Sequence, residues 1–284
     1  MDEKLKLTDC EPEEICRTAA PEPAPGELTY AVANLQGIGR RERQEDSFAF
    51  GQAMEQSEIK EKGLLFVVAD GMGGMNGGWL AGDTAVKSLL SDYEKIDLKA
   101  DIPAQLALAV SAAGDRVYGK LKGEGGSTVV AAVIYDEKLY FASVGDSFAY
   151  LLRNRRLVRL NLSHNLLNEA YAYTIMCGSL DPEPARSTPQ KEALTQFLGM
   201  GQQDEIDCNI KPIRLRPGDV IMLCSDGVAG VLDEQCLTDC LSYGIPADMC
   251  SALEENIRDV NNRYQDNYTA LIVQCRKNFE GEEK

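Results

Sequence analysis

The sequence predicts an α+β fold in which antiparallel sheets are covered by helices. Three observations carry this. Strand-like and helix-like segments are segregated along the chain: strands, two helices, more strands, two helices, one strand. The β-rich segments are joined by short spacers, which makes neighbouring strands antiparallel. The 284 residues suit one layered domain of roughly 200–250 residues plus a tail.

Each element has its own signature. Residues 1–27 include CEPEEICRTAAPEPAPGE, dominated by Pro and Glu without any periodicity, so a disordered acidic tail is expected there. From Leu28 the character changes, and LTYAVAN and the SFAF that follows Asp46 read as strands. GLLFVVAD reads as a buried strand that ends at Asp70. Leu80, Ala85, Leu89 and Tyr93 then recur near helical spacing. Ile102, Leu106, Val110, Ala113, Val117 and Leu121 follow the 3.6-residue period over a second, amphipathic helix. GSTVVAAVIYD, KLYFASVGD, SFAYLLR and RLVRL are short strands, with hairpins predicted at Asp136-Glu137 and around Asn154. Ser163 to about Cys177 is read as helical, and the Pro-rich Ser179 to Lys191 as an exposed loop or flap. IKPIRLRPGDVIMLCSD holds two more strands, the second ending at Asp226. Two helices follow, the second carrying Met249, Leu253, Ile257 and Val260, and ALIVQC closes the fold as a strand. The expected domain is 28–276, with 277–284 a short charged C-terminal tail.

Composition narrows the partners. A net charge of −16 argues against nucleic acid, whose phosphates demand clustered Lys and Arg. No run of about 18 apolar residues suggests a membrane span, and the acidic N-terminus lacks the apolar core of a signal peptide, so a cytoplasmic protein is expected. Nine scattered cysteines without a C-x-x-C pair fit free thiols in a reducing compartment.

The chemistry lies in carboxylates at strand ends. Glu45 and Asp46 sit in RRERQED, Asp70 precedes Gly71, Asp146 lies in VGDS, Asp226 precedes Gly227, and Asp266 comes just before the last strand. One Asp-Gly pair is turn chemistry. Six acids at five such positions, at the mouths of adjacent strands, repel one another and call for neutralisation. A single histidine, His164, rules out a His-rich zinc site, and an all-oxygen donor set suits Mg²⁺ or Mn²⁺. Two such ions about 3.5–4 Å apart can activate one water and hold phosphate oxygens. Gly71 leaves room for its carbonyl to serve as a ligand and permits unusual φ. Arg41, in an arginine cluster otherwise foreign to so acidic a chain, can grip a phosphate with its planar fork.

The segments RRERQED, VVADGMGG, GSTVVAAV, SVGDSFAYL, ALTQFLG, VIMLCSDGV and QDNYTALIV together resemble, in order, the PP2C-type (PPM) metal-dependent serine/threonine protein phosphatases, in a bacterial form. The resemblance spans roughly Leu28 to Cys275. It implies a central β-sandwich of two antiparallel sheets flanked by helix pairs. It also implies hydrolysis of phosphoserine and phosphothreonine by a hydroxide bridging two Mn²⁺ or Mg²⁺ ions, acting on phosphorylated proteins opposite a cognate Ser/Thr kinase. By the same resemblance Asp70 would bridge the ions. Asp226 and Asp266 would complete one site, and Glu45 and the Gly71 carbonyl the other. Asp46 would orient water, Arg41 would hold the substrate phosphate, and Asp146 would bind a third, weaker ion. The stretch from His164 to Lys191 would include a flap beside the site. Gln44, Met72, Phe148 and Ser163 depart from the family pattern.

Three rival readings fit parts of the sequence. Cys208 to Arg214 satisfies the C-x₅-R spacing of cysteine-dependent phosphatases, but lacks glycine and carries Pro212, so it cannot form the phosphate-cradling loop of backbone N–H groups. A phosphatase-like binding module would not need the intact acidic set. A hydrolase of small phosphate monoesters shares the same chemistry.

Overall fold

The computed structural model describes residues 28–51, 55–73, 77–201 and 205–277. The expected tails lie outside the described residues, except Lys277, which is the last residue of a strand.

Strand β3 (Leu64–Ala69) shows how the layers arise. All six residues are buried, yet Leu64, Phe66 and Val68 join one apolar cluster while Leu65, Val67 and Ala69 join another. Successive side chains point to opposite faces, so a strand that is apolar throughout must be covered on both sides. Its sheet is ordered β10-β7-β6-β3-β2. Here β2 is Ser47–Phe50, β6 Val129–Tyr135, β7 Lys138–Val144 and β10 Asp207–Cys208, with β11 (Ile213–Arg214) also on β7. The facing sheet is ordered β1-β13-β12-β8-β9: β1 is Leu28–Gly37, β8 Phe148–Arg153, β9 Arg156–Arg159, β12 Val220–Cys224 and β13 Tyr268–Lys277. All these pairings are antiparallel. A small pair, β4 (Gly71–Met72) with β5 (Gly126–Ser127), lies apart from them. Between the two sheets, Phe66, Val68 and Val130 meet Leu223, Leu271 and Val273.

Helices close the outer faces. The expected stripe on α3 (Ile102–Leu121) is buried from Ile102 to Val117. The helix starts where the Asp101 carboxylate accepts from Ala104 N–H at 3.1 Å, satisfying one of the free amides of a first turn. With α2 (Gly77–Tyr93) it covers Leu65, Val67 and Val129. On the other side, α7 (Glu234–Leu241) and α8 (Pro246–Val260) lay Leu237, Met249, Leu253 and Ile257 over Met222 and Ile272. The fold therefore has four layers, helix–sheet–sheet–helix. Both predicted hairpins are two-residue turns with positive φ, at Asp136–Glu137 and Asn154–Arg155, the hand that matches strand twist.

The structure corrects three expectations and adds one element. Val260, the last residue of α8, is exposed, so the apolar stripe ends at Ile257. The helix α1 (Gln56–Lys62) buries only Ile59, too little apolar signal to be seen as periodicity. The Pro-rich 179–191 stretch contains a helical turn, α5 (Glu183–Arg186), pinned by buried Ala185. Asp226 does not end a strand: β12 stops at Cys224, and Asp226 opens the short helix α6 (Asp226–Ala229). The segment read as helical from Ser163 is α4 (Leu166–Met176), capped by Asn165, whose side chain accepts from Asn168 N–H at 3.0 Å.

Candidate active site

Strand register brings the acidic residues together. Ser47 pairs with Ala69, which puts Asp46 beside Asp70 at the same end of adjacent strands. Val129 pairs with Val144, so the turn carrying Asp146 follows at that end too. In the facing sheet Cys224 pairs with both Phe148 and Ala270. Asp226 lies two residues beyond one of these partners, and Asp146 and Asp266 lie just before the others. Both sheets thus send their carboxylates to one end of the sandwich. A pocket of about 400 Å³ opens there, lined by Arg41, Glu45, Asp70, Gly71, Asp146, Asp226 and Asp266 among others. Of the predicted site residues only Asp46 is not in the wall. It lies beneath, 3% exposed, with Oδ2 accepting from Ser225 Oγ at 2.8 Å.

The glycines are there for close approach. A Cβ on Gly71 would stand 2.1 Å from the Gly78 carbonyl oxygen and 2.6 Å from that of Glu45. A Cβ on Gly78 would stand 2.7 Å from the Glu45 carboxyl carbon. Gly71 is not among the residues with positive φ. Its requirement is therefore space rather than unusual dihedrals, correcting half of the sequence argument.

Polar side chains that sequence reasoning passed over hold the frame. Asn267 accepts from Glu45 N–H at 2.8 Å and donates to the carbonyls of Ile38 and Arg43 at 2.9 and 3.0 Å, fixing the loop that carries Arg41. Thr128 donates its N–H to the Asp70 carbonyl at 2.8 Å, and its hydroxyl accepts from Asp70 N–H at 3.1 Å. Gln44, the departure from the family pattern, accepts from Asp46 N–H at 3.0 Å and donates to the Gly37 carbonyl at 3.1 Å. Asn267 and Thr128 sit inside two of the ordered segments, but polar residues beside a strand end look alike in sequence whether they brace a site or cap a turn.

The electrostatics are those of crowded acids. Burial pushes Asp70 well above the ordinary carboxylate range, and Asp46 and Asp226 push it further. Asp46 is raised to about 6 by burial, against the hydrogen bonds from Thr269 and Ser225, with Asp226 and Asp266 adding to the rise. Asp146 is raised to about 6 by burial and then by Asp226. Asp226 is raised by burial and by Asp266, and Glu45 chiefly by burial. Asp70 and Asp226 are within hydrogen-bonding reach of each other, so a proton held there relieves their repulsion. Arg41 donates to Asp266 at 2.5 Å.

These groups suit a hard divalent cation in chemistry. The donors are all oxygen, and within this acidic cluster two buried atoms, Asp46 Oδ1 and Asp226 Oδ1, have no hydrogen-bond partner. Buried polar atoms are seldom left so, and unpartnered carboxylate oxygens aimed at a cluster of like charge are what a cation would satisfy. As the side chains stand, among the described residues no three acidic, thiol or imidazole groups converge tightly enough to grip an ion. The Arg41–Asp266 ion pair offsets part of the pocket's negative charge.

The cysteine-dependent alternative finds no support. Cys208 and Arg214 lie along the edge of β7, in β10 and β11. Burial and Asp207 raise the Cys208 thiol, the reverse of what a thiolate nucleophile needs. His164 is outside the pocket wall.

Comparison with known proteins follows the same line. The profile of Protein phosphatase 2C matches residues 30–170. The serine/threonine phosphatase stp of Listeria welshimeri is 30% identical over 227 residues, 76% of this chain and 86% of that protein. The solved serine/threonine phosphatase of S. agalactiae is 26% identical with a TM-score of 0.72, covering 87% of this chain and 99% of its own. The catalytic domain of the phosphatase PstP, solved in complex with two manganese ions, has a TM-score of 0.69 at 23% identity. It covers 88% of this chain and 99% of its own, a likeness of fold.

Proposed function

The chain belongs to the Protein phosphatase 2C family and is a metal-dependent protein phosphatase acting on phosphorylated proteins, and from that premise we propose a role for each residue of the pocket. The observation that supports the assignment is the pair of orphaned buried oxygens on Asp46 and Asp226, set among carboxyls whose pKa values burial and mutual repulsion raise. Asp70, Asp226 and Asp266 would hold one divalent cation, and Asp70, Glu45 and the Gly71 carbonyl a second, Mn²⁺ or Mg²⁺. Asp146 would contribute to a third, weaker site. Bound there, such ions supply the Lewis acidity that lets water attack phosphorus directly at neutral pH.

The chain's own groups do the rest. Asp46, fixed by Ser225 beneath the pocket floor, would orient the attacking water. Arg41 is 57% exposed at the mouth, so its guanidinium can leave Asp266 for the substrate phosphate. Its fork can then donate two parallel bonds. Asp266, released, becomes available to a cation. Loading and substrate capture would therefore each break the same ion pair, so that either favours the other. Met72 lines the pocket and has no proton to give, so the leaving serine or threonine oxygen would take its proton from a water or from another acid of the site. We also propose a Ser/Thr kinase as the opposing activity and a cytoplasmic setting, the latter consistent with the lack of a membrane-length apolar helix among the described residues.

The test is hydrolysis of a phosphothreonine peptide with Mn²⁺ or with EDTA, for wild type and Asp226→Asn. Metal-dependent release of phosphate, lowered at least a hundredfold in the variant, is expected. Turnover that survives EDTA, or a fully active variant, would overturn the assignment.

A further inference from the structure

The single histidine of the chain is not used by the chemistry above, yet it is 8% exposed and bonded on three sides. Its Nδ1 accepts from Gly145 N–H at 3.0 Å. Its own N–H donates to the Gly145 carbonyl at 2.9 Å, and its carbonyl accepts from Thr195 N–H at 2.9 Å. One residue thus satisfies both main-chain groups of Gly145, the neighbour of Asp146, and also ties down the segment after α5. That segment runs back along the start of α4: Leu166 N–H donates to Ala193, Leu167 N–H to Lys191, and Asn165 bridges Leu194. Further on, Leu198 and Ser127 exchange both main-chain hydrogen bonds at 2.8 and 3.0 Å, and Ser127 Oγ donates to the Asp70 carbonyl at 3.0 Å. Leu194 and Asp146 both line the pocket.

We propose that His164 is a positioning residue that clamps the Gly145–Asp146 turn to both limbs of the 165–198 flap, so that the Asp146 carboxylate and the Leu194 wall are set as one unit. The geometry explains why a ring nitrogen is needed there. Gly145 N–H is buried, and a buried donor without an acceptor is costly. Because Nδ1 accepts, the neutral ring carries its proton on Nε2. α4 cannot hold the flap by packing, since none of its residues is buried. The hydrogen bonds at its base must do so. The inference concerns the chain without ions, and it depends on the phosphatase reading only for its kinetic consequence.

Two variants separate the clamp from mere core filling. His164→Asn places an amide oxygen near the position of Nδ1 and keeps the acceptor. His164→Leu keeps the bulk and removes it. Hydrogen exchange on the whole metal-free protein is the first readout. In His164→Leu, amides of 143–148 and 193–198 are expected to exchange about tenfold faster together, as loss of one buried hydrogen bond implies. The strands β3 and β13 should stay protected, and His164→Asn should remain close to wild type. In the loaded enzyme, KM for a phosphothreonine peptide should rise more in His164→Leu than kcat falls. Unchanged exchange at 193–198 in His164→Leu would overturn the clamp, because the turn and flap would then be independent. So would faster exchange across the whole sandwich that His164→Asn does not rescue. An inactive wild type would leave the exchange arm intact while sinking the phosphatase reading.

Discussion

Replacing Asp46 by Asn should make the metal-free protein more stable at alkaline pH and the loaded protein less so. Asp46 titrates near 6 in the fold against 3.8 ordinarily, with burial as the main cause. An acid whose folded pKa is raised binds its proton more tightly folded than unfolded. Its protonated form therefore contributes stability that is fully present below about pH 4 and lost as pH rises through about 6. Roughly two pH units at about 1.36 kcal/mol each give a ceiling of about 3 kcal/mol above pH 7. For a domain of this size that corresponds to a melting shift of roughly 6–12 °C. Asn removes this penalty. Its oxygen can still accept from Ser225, and its NH₂ can reach toward Asp226. In EDTA, differential scanning fluorimetry should give equal melting temperatures for wild type and Asp46→Asn near pH 4, and a higher value for the variant at pH 8. With Mn²⁺ at pH 8 the order should reverse, because the variant has lost an oxygen anion from the cluster. If Asp46→Asn melts lower in EDTA by the same amount at both pH values, Asp46 is a structural acceptor for Ser225 and the electrostatic account fails.

Other outcomes follow from the same geometry. Arg41→Ala should raise KM for a phosphothreonine peptide by about 10–100-fold, the worth of hydrogen bonds to a charged group. Melting temperature should barely change, because the side chain is exposed; steady-state kinetics with thermal melts checks both halves. Gly78→Ala pushes a methyl against the Glu45 carboxyl, so calorimetric Mn²⁺ affinity should fall about tenfold while far-UV circular dichroism is unchanged. Cys208→Ser should retain activity within about twofold, since burial holds the thiol protonated; a tenfold loss would reopen the thiolate route.

What the sequence reveals of this protein follows from where its signals are periodic. The stripe on α3 is legible because apolar residues recur every 3.6 residues, and the double-sided burial of β3 because its six residues are an unbroken apolar run. The carboxylates are legible because an acid beside a glycine at the end of an apolar strand has little reason to be there for packing. α1 is not legible, because one buried isoleucine makes no period. The helical start at Asp226 is not legible either, because CSDG reads equally as a strand end or as a cap. Asn267, Thr128 and Ser225 escape for a third reason. Their work is done through hydrogen bonds to the main chain of segments far away in sequence, and no local pattern encodes a partner 222 residues distant, as between Asn267 and Glu45.

The same division explains how so unfavourable a pocket persists. Asp70, Asp146, Asp226 and Asp266 lie a few residues beyond the ends of strands in the buried core, Asp46 adjoins β2, which is paired to β3, and register leaves those ends no freedom to separate. Slipping any central strand by one residue would turn its apolar faces inside out. The core therefore holds the carboxylates together against their repulsion, and the strain appears as raised pKa values rather than as disorder. Ions that bind only the folded state add RT ln(1 + [L]/Kd), about 2.7 kcal/mol at a hundred times Kd. That is close to the roughly 3 kcal/mol ceiling on the cost of ionising Asp46 alone. Loading and folding are thus coupled with comparable magnitudes. The site is destabilised where catalysis needs charge, and the bound cations offset the instability while supplying the chemistry.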